Sequence, residues 1–308
     1  MLADATQPAS RRRGLVMVGA AAMLWGTSGL TATIAYARDV HPLTVSSWRM
    51  TIGAIVLTLM LRRSGKSDGV LAPAERRRLV LIGASLAAYQ ACYFLAVQRA
   101  GVSIATLLTL GLAPVLVTVG ERLLTRRPTA AATLIGIALS VAGLVALVGV
   151  PSGGSPGWST GALLAIGSAF GYATLTLAGG TLSTRMGAQR LTALTFVIAA
   201  VLLVPVTAAT VGMGVGPDRV VLAAMLYLGV IPTALAYRLF FRGLQGVSAS
   251  AAAVLVLLEP LVATGLAVPL LGERLTLLGW VGAAALIVAV VIISGTGGSP
   301  GRERPVVV

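Results

Sequence analysis

Apolar residues run in long blocks along this chain, and polar residues gather in the gaps between them. The blocks cover about residues 14–36, 42–61, 79–98, 102–123, 129–150, 160–181, 191–211, 220–241, 247–271 and 275–295. Each is close to the ~20 residues a helix needs to cross ~30 Å of hydrocarbon. That pattern predicts an all-α membrane protein with ten transmembrane helices. The first block follows Arg11, Arg12 and Arg13 and opens a regular series. It therefore reads as a retained helix, since it is too long for the apolar core of a cleaved signal.

Composition agrees. The chain is 57% hydrophobic and 10% charged, against about 25% charged in soluble domains. A net charge of +14 would suggest nucleic acid in a soluble protein. Here it follows topology instead. Ten spans place both termini on one side, so residues 1–13 and 297–308 become cytoplasmic tails. With the N-terminus inside, only Arg38, Arg99, Arg219 and Arg274 of the 23 basic residues fall outside, and Arg49 lies within a span. The positive-inside rule expects such an asymmetry and points to a multi-pass protein of the cytoplasmic membrane. The lone Cys92 cannot form an intrachain disulfide, and the lone His41 offers no His-based zinc site. There is no P-loop for ATP hydrolysis, and nothing calls for a metal or a cofactor.

The two halves of the chain resemble each other. With Pro114 set on Pro260, Thr118 meets Thr264 and Gly136 meets Gly282 without gaps. "GVSIAT" from Gly101 matches "GVSASA" from Gly246, one residue out of step. The turn-rich "PSGGSPG" (Pro151–Gly157) separates the halves, giving a first five-helix repeat over 14–150 and a second over 158–296. A five-helix unit crosses an odd number of times, so its copy enters the membrane upside down. Inverted-topology repeats are a transporter signature, with the substrate site near the midplane between them.

The segment "YLGVIPTALAYRLFFRGLQGVSASAAAVLVLLEPLVATGLAVPLLGERLTLLG" (Tyr227–Gly279) resembles the second repeat of the EamA-type drug/metabolite transporter superfamily. "LWGTSG" (Leu24–Gly29) is similar to that family's first-helix signature, and "HPLTVSSWRM" (His41–Met50) to the start of its second helix. The resemblance runs over about residues 14–296, with "LEP…LGERL" as its most specific part. It implies ten helices in two inverted repeats around a cavity lined mainly by helices 1, 3, 4, 6, 8 and 9. It also implies transport of small metabolites, often export of amino acids or related compounds. "TRRPT" (Thr125–Thr129) stands where the second repeat has "LGERL", so that loop loses its symmetry.

Glu259 and Pro260 sit together deep in the ninth block. Twelve residues from Val247 place Glu259 roughly 18 Å into the membrane at 1.5 Å per residue. An ionised acid there costs ~3 kcal/mol or more. Pro260 lacks an N–H and displaces the carbonyl near Val256 from its helical partner. Two readings follow. Glu259 either bonds the freed backbone or a neighbouring helix, or it serves a wet cavity as the ligand of a cationic group or of a coupling proton. Pro114, Pro232 and Pro260 are the candidate helix breaks or hinges, and Pro269 bends or ends the ninth helix.

Arg49 lies about seven residues into the second helix and either snorkels outward, holds a structural hydrogen bond, or pairs with a cavity acid. Glu121, beside Arg122, reads as an interfacial acid, and Arg238 as a snorkelling base. Tyr89 and Tyr93 share one face of the third helix with Gln90 adjacent. Trp25 and Tyr172 stand at comparable depth in the two repeats, and Thr106 and Thr109 share a face of the fourth helix. These side chains either line a cavity that stacks and hydrogen-bonds a small solute or simply pack helices. Tyr36, Trp48 and Trp158 read as interfacial belt, and Gly167 with Gly171 as a close-packing pair.

The expected function is secondary transport, with an exporter of small metabolites foremost. A polytopic membrane enzyme or a non-transporting scaffold is the alternative. The expected partners are a small-molecule substrate and the lipid bilayer, not nucleic acid. A proton gradient, a solute gradient and passive movement all stay open as driving forces.

Overall fold

The computed structural model describes residues 6–64, 71–149, 157–271 and 275–295. Most of the Pro151–Gly157 linker, the Gly272–Arg274 part of "LGERL", the centre of the basic loop after Arg63 and the C-terminal tail lie outside the described residues. Among the described residues every regular element is a helix.

Ten crossings follow in order: α1 Thr6–Tyr36, α2 Pro42–Arg63, α3 73–100, α4 102–125, α5 Ala131–Val148, α6 Trp158–Met186, α7 Ala188–Thr210, α8 Arg219–Gly243, α9 as Ala249–Leu255 and Leu258–Leu271, and α10 Leu277–Gly295. All ten apolar blocks are recovered. α1 starts earlier than its block and carries Arg11, Arg12 and Arg13 on its first turns.

α3 and α4 follow each other without an intervening loop, Pro73–Thr125, 53 residues in all, and meet at Gly101. A straight helix of that length would reach ~80 Å, far more than a bilayer. Gly101 resolves this with φ 85° and ψ 163°, a backbone region that only glycine enters cheaply. The chain doubles back there. Tyr93 and Thr106 hydrogen-bond through their hydroxyls at 3.0 Å, although thirteen residues of straight helix would hold them ~20 Å apart.

The packing repeats itself between the halves. α1 packs on α8 and α9, and α6 packs on α3 and α4; α2 meets α7, and α5 meets α10. Each of these four pairings joins one repeat to the other. In a membrane such contacts depend on close approach through small residues. A Cβ on Gly282 would stand 2.5 Å from the Leu147 nitrogen, and one on Gly136 2.8 Å from Ile293 Cγ1. Both repeat-matched glycines therefore serve the α5–α10 seam. Gly171 likewise lets α6 approach Tyr89 on α3.

The bundle has two unlike ends. The basic end holds Arg62, Arg63, Arg76, Arg77, Arg78, Arg122, Arg126, Arg127, Arg185, Arg190 and Arg242. At the far end Arg38 pairs with Asp218 at 2.6 Å, tying the end of α1 to the start of α8.

Two helices depart from regular geometry. α8 widens into a π-turn over Val230–Leu235, which contains Pro232; the Ala236 N–H reaches back five residues to the Ile231 carbonyl. α9 breaks at Val256 and Leu257. α4, by contrast, stays helical through Pro114.

Candidate functional site

A cavity of about 790 Å³ starts near the middle of the bundle and extends to the far end. Its far-end rim includes Tyr36 of α1, Val97 of α3, Val102 and Ser103 of α4, and Gly149 after α5. Val102 is 60% exposed, and among the described residues none from the basic end lines the space. A floor of packed rings closes the cavity toward the basic end. Trp25 meets Tyr237 at 4.8 Å and Phe240 at 5.3 Å, centroid to centroid, and Phe240 meets Phe241 at 5.7 Å. Phe240 and Phe241 are fully buried.

Glu259 lines this cavity, half-buried. The break in α9 explains its placement. Pro260 cannot donate to the Val256 carbonyl, and the Glu259 backbone N–H takes that carbonyl at 2.8 Å instead. The chain restarts as a helix at Leu258, so Pro260 falls in a first turn, where its missing N–H costs nothing. The carbonyl freed by Pro260 is thus served by backbone, and the Glu259 carboxylate stays free for the cavity. α1 crosses α9 here at Gly26, where a Cβ would stand 2.8 Å from the Glu259 carbonyl oxygen.

Arg49 also lines the cavity and is only 8% exposed. It does not snorkel. Its Nε–H donates to the Thr233 hydroxyl at 3.1 Å, and Thr233 belongs to the π-turn of α8. The widened turn at Pro232 therefore presents the group that steadies the guanidinium. Arg49 and Glu259 face one cavity, and no ion pair joins them among the described residues.

The other sequence candidates converge here as well. Trp25, Tyr89, Gln90, Tyr93, Thr106, Thr109 and Tyr172 all line the cavity. Gln90 is held between the Ser46 hydroxyl and the Tyr237 hydroxyl, each at 3.4 Å. Thr109 donates its hydroxyl to the Ala165 carbonyl of α6 at 3.2 Å. Tyr89 and Tyr172 pack edge to face at 5.7 Å. The Trp25 indole N–H is buried without a hydrogen-bond partner, a polar group left for a ligand.

Three expectations change. Tyr36 is not belt; it ends α1, and its half-buried side chain lines the cavity wall. Glu121 is not a solvated interfacial acid. It is half-buried, and its carboxylate accepts the N–H groups of Ala249 and Ser250 at 3.2 and 3.0 Å and the Ser250 hydroxyl. The wall is also broader than six helices, because α2, the end of α5 and the start of α10 contribute. Of the other belt residues, Trp158 is 41% exposed, and Trp48 donates its indole N–H to the Met213 carbonyl at 2.9 Å. Sequence reasoning passed over Tyr237 and Thr264, which both line the cavity. Thr264 carried a signal as the repeat mate of Thr118.

Comparison with known proteins follows the same architecture. The family model of the EamA-like transporters matches twice, over residues 12–149 and 159–295. The chain is 31% identical to the uncharacterized transporter YwfM of Bacillus subtilis, covering 89% of this chain and 91% of that protein. It is 27% identical to the uncharacterized inner membrane transporter YicL of Salmonella typhimurium, covering 92% and 96%. A crystal structure with 21% identity superposes with a TM-score of 0.79 over 92% of this chain and 96% of that one, and so shares the fold.

Proposed function

Because the chain belongs to the EamA-like transporter family, we propose that this membrane transporter is a secondary carrier of small metabolites such as amino acids and related compounds. It works by alternating access between the two repeats, in the cytoplasmic membrane, with both termini inside and export as its direction. The basic end then faces the cytoplasm and the cavity opens outward. Solute crosses chemically unchanged.

One observation carries this reading. A carboxylate and a guanidinium, Glu259 and Arg49, face the same 790 Å³ cavity with no ion pair between them among the described residues. That volume lies in the range of small-molecule sites. Two separated opposite charges complement a solute that bears an ammonium and a carboxylate, and the tyrosine and tryptophan rings stack on its apolar part. Glu259 takes the ammonium, or in its absence the coupling proton. The break at Val256–Leu257 and the π-turn at Pro232 lie beside Glu259 and the Arg49 partner respectively. These two sites, with Pro114 between the halves of α4, are the proposed hinges.

The test is Glu259→Gln in sealed proteoliposomes. The amide keeps volume and hydrogen bonding but not the charge. Removing one partner of a buried charge contact costs ~2–5 kcal/mol, so transport falls at least ~30-fold while the melting temperature stays near wild type. Wild-type transport with unchanged pH dependence in Glu259→Gln would remove Glu259 from the mechanism.

A further inference from the structure

At the basic end, beyond the ring floor of the cavity, a contact joins the fourth helix of one repeat to the fourth helix of the other. Glu121, near the end of α4, accepts the N–H groups of Ala249 and Ser250 and the Ser250 hydroxyl. These are the first groups of α9, where N–H donors lack helical partners and the field favours an anion. The N-cap Ser248 serves the Ala251 N–H at 3.2 Å, so side chain and carboxylate together satisfy the start of α9. Behind this contact Val117 of α4, Ala173 of α6 and Ala253 of α9 pack as a buried cluster.

The inverted repeat gives that contact a counterpart. If the end of α4 caps the start of α9 at the basic end, the end of α9 should close on the start of α4 at the far end. At the far end Ser103 of α4 and Ala267 of α9 both line the open cavity. In the register that sets Pro114 on Pro260, Ala267 is the mate of Glu121. At that matched position α9 therefore carries no carboxylate, although the "GERL" of Gly120–Leu123 recurs in sequence as Gly272–Leu275, whose Gly272–Arg274 lie outside the described residues. α9 also breaks at Val256–Leu257, so the piece that Glu121 holds can move apart from the piece that carries Glu259.

We propose that Glu121 is the latch of the basic-end gate. Bound to the start of α9, it holds the conformation open to the far end. Its release lets the segment 249–255 swing from α4 about the break and admits solute from the basic end. This rests on the transporter reading above, and it assigns Glu121 to gating and not to solute binding, since Glu121 does not line the cavity.

The test reads accessibility and needs no substrate. In a Cys92→Ser background, Ala253→Cys reports the closed gate, where Ala253 is 2% exposed, and Ser103→Cys reports the exposed far-end rim. Membrane-impermeant thiol reagent is applied to each side in turn. Glu121→Gln removes charge-assisted hydrogen bonds, whose loss shifts such an equilibrium about tenfold or more. Ala253→Cys should then label about tenfold faster from the basic side, with Ser103→Cys slower from the far side. Ser250→Ala removes one bond from the opposite partner and should shift both rates the same way by less; it also carries the test if Glu121→Gln does not fold. Combined with Glu121→Gln it should add little. Unchanged labelling in a variant that merely melts earlier would make Glu121 a structural cap and overturn the latch. Shifted labelling in a protein that moves no solute would keep the latch and remove the transporter reading.

Discussion

Two glycines three residues apart on α1 should respond in opposite ways to the same added methyl group. At Gly26 a Cβ would stand 2.7 Å from Val262 Cβ and 2.8 Å from the Glu259 carbonyl oxygen. Carbon atoms pack best at ≈ 3.5–4.0 Å, so Gly26→Ala must push α1 off α9 by roughly 1 Å. Overpacking of this kind costs about 1–3 kcal/mol. At Gly29 nothing lies within 4 Å, and Gly29→Ala should gain about 0.5–1 kcal/mol from the better helix former. For a chain of this length ~1 kcal/mol moves the melting temperature by ~2–4 °C. Gly26→Ala should therefore melt roughly 2–12 °C below wild type and Gly29→Ala at or slightly above it, in detergent at one heating rate. Because the displaced backbone carries Glu259, Gly26→Ala should also lose transport beyond what its stability explains. Equal melting of the two variants would refute the α1–α9 crossing as drawn.

Thr233→Val keeps shape but leaves the Arg49 Nε–H without its partner; a buried unsatisfied donor of this kind costs about 1–3 kcal/mol, so the variant should melt lower and bind solute more weakly, while Thr233→Ser restores both. For orientation, cysteines placed at the exposed Ser64 and Gly214 in Cys92→Ser protein should react with impermeant reagent from the cytoplasmic and outer sides respectively. Labelling of both from the same side would contradict the ten-crossing topology.

The hydrophobic blocks sufficed to place all ten helices, because a membrane span is set by length and apolarity and both can be read along the chain. The turn at Gly101 was also legible, since two blocks totalling more than 40 residues cannot cross once. Glu259, Arg49 and the aromatic candidates were legible because polar groups and large rings are scarce in such a chain and stand out. Their partners were not. That Arg49 rests on Thr233 depends on the π-turn at Pro232, and a proline alone does not tell a widened turn from a clean break. Pro114 and Pro260 match in sequence, yet α4 runs through its proline while α9 breaks before its own. Repeat symmetry in sequence did not extend to local geometry. Glu121 was misread for a related reason. An acid beside an arginine near a helix end looks solvated, and only the approach of α9 shows what it caps.

The central claim is movement of an unaltered small solute, and it can be measured without a mutation. Purified protein is reconstituted into sealed vesicles loaded with a mixed pool of amino acids and related metabolites, with and without an imposed pH gradient. Inside and outside contents are then read by mass spectrometry. The account predicts that at least one zwitterionic solute crosses faster than in protein-free vesicles and is recovered with unchanged mass. A pool that stays in place under every gradient, or a covalently altered product that appears only with the protein, would contradict it.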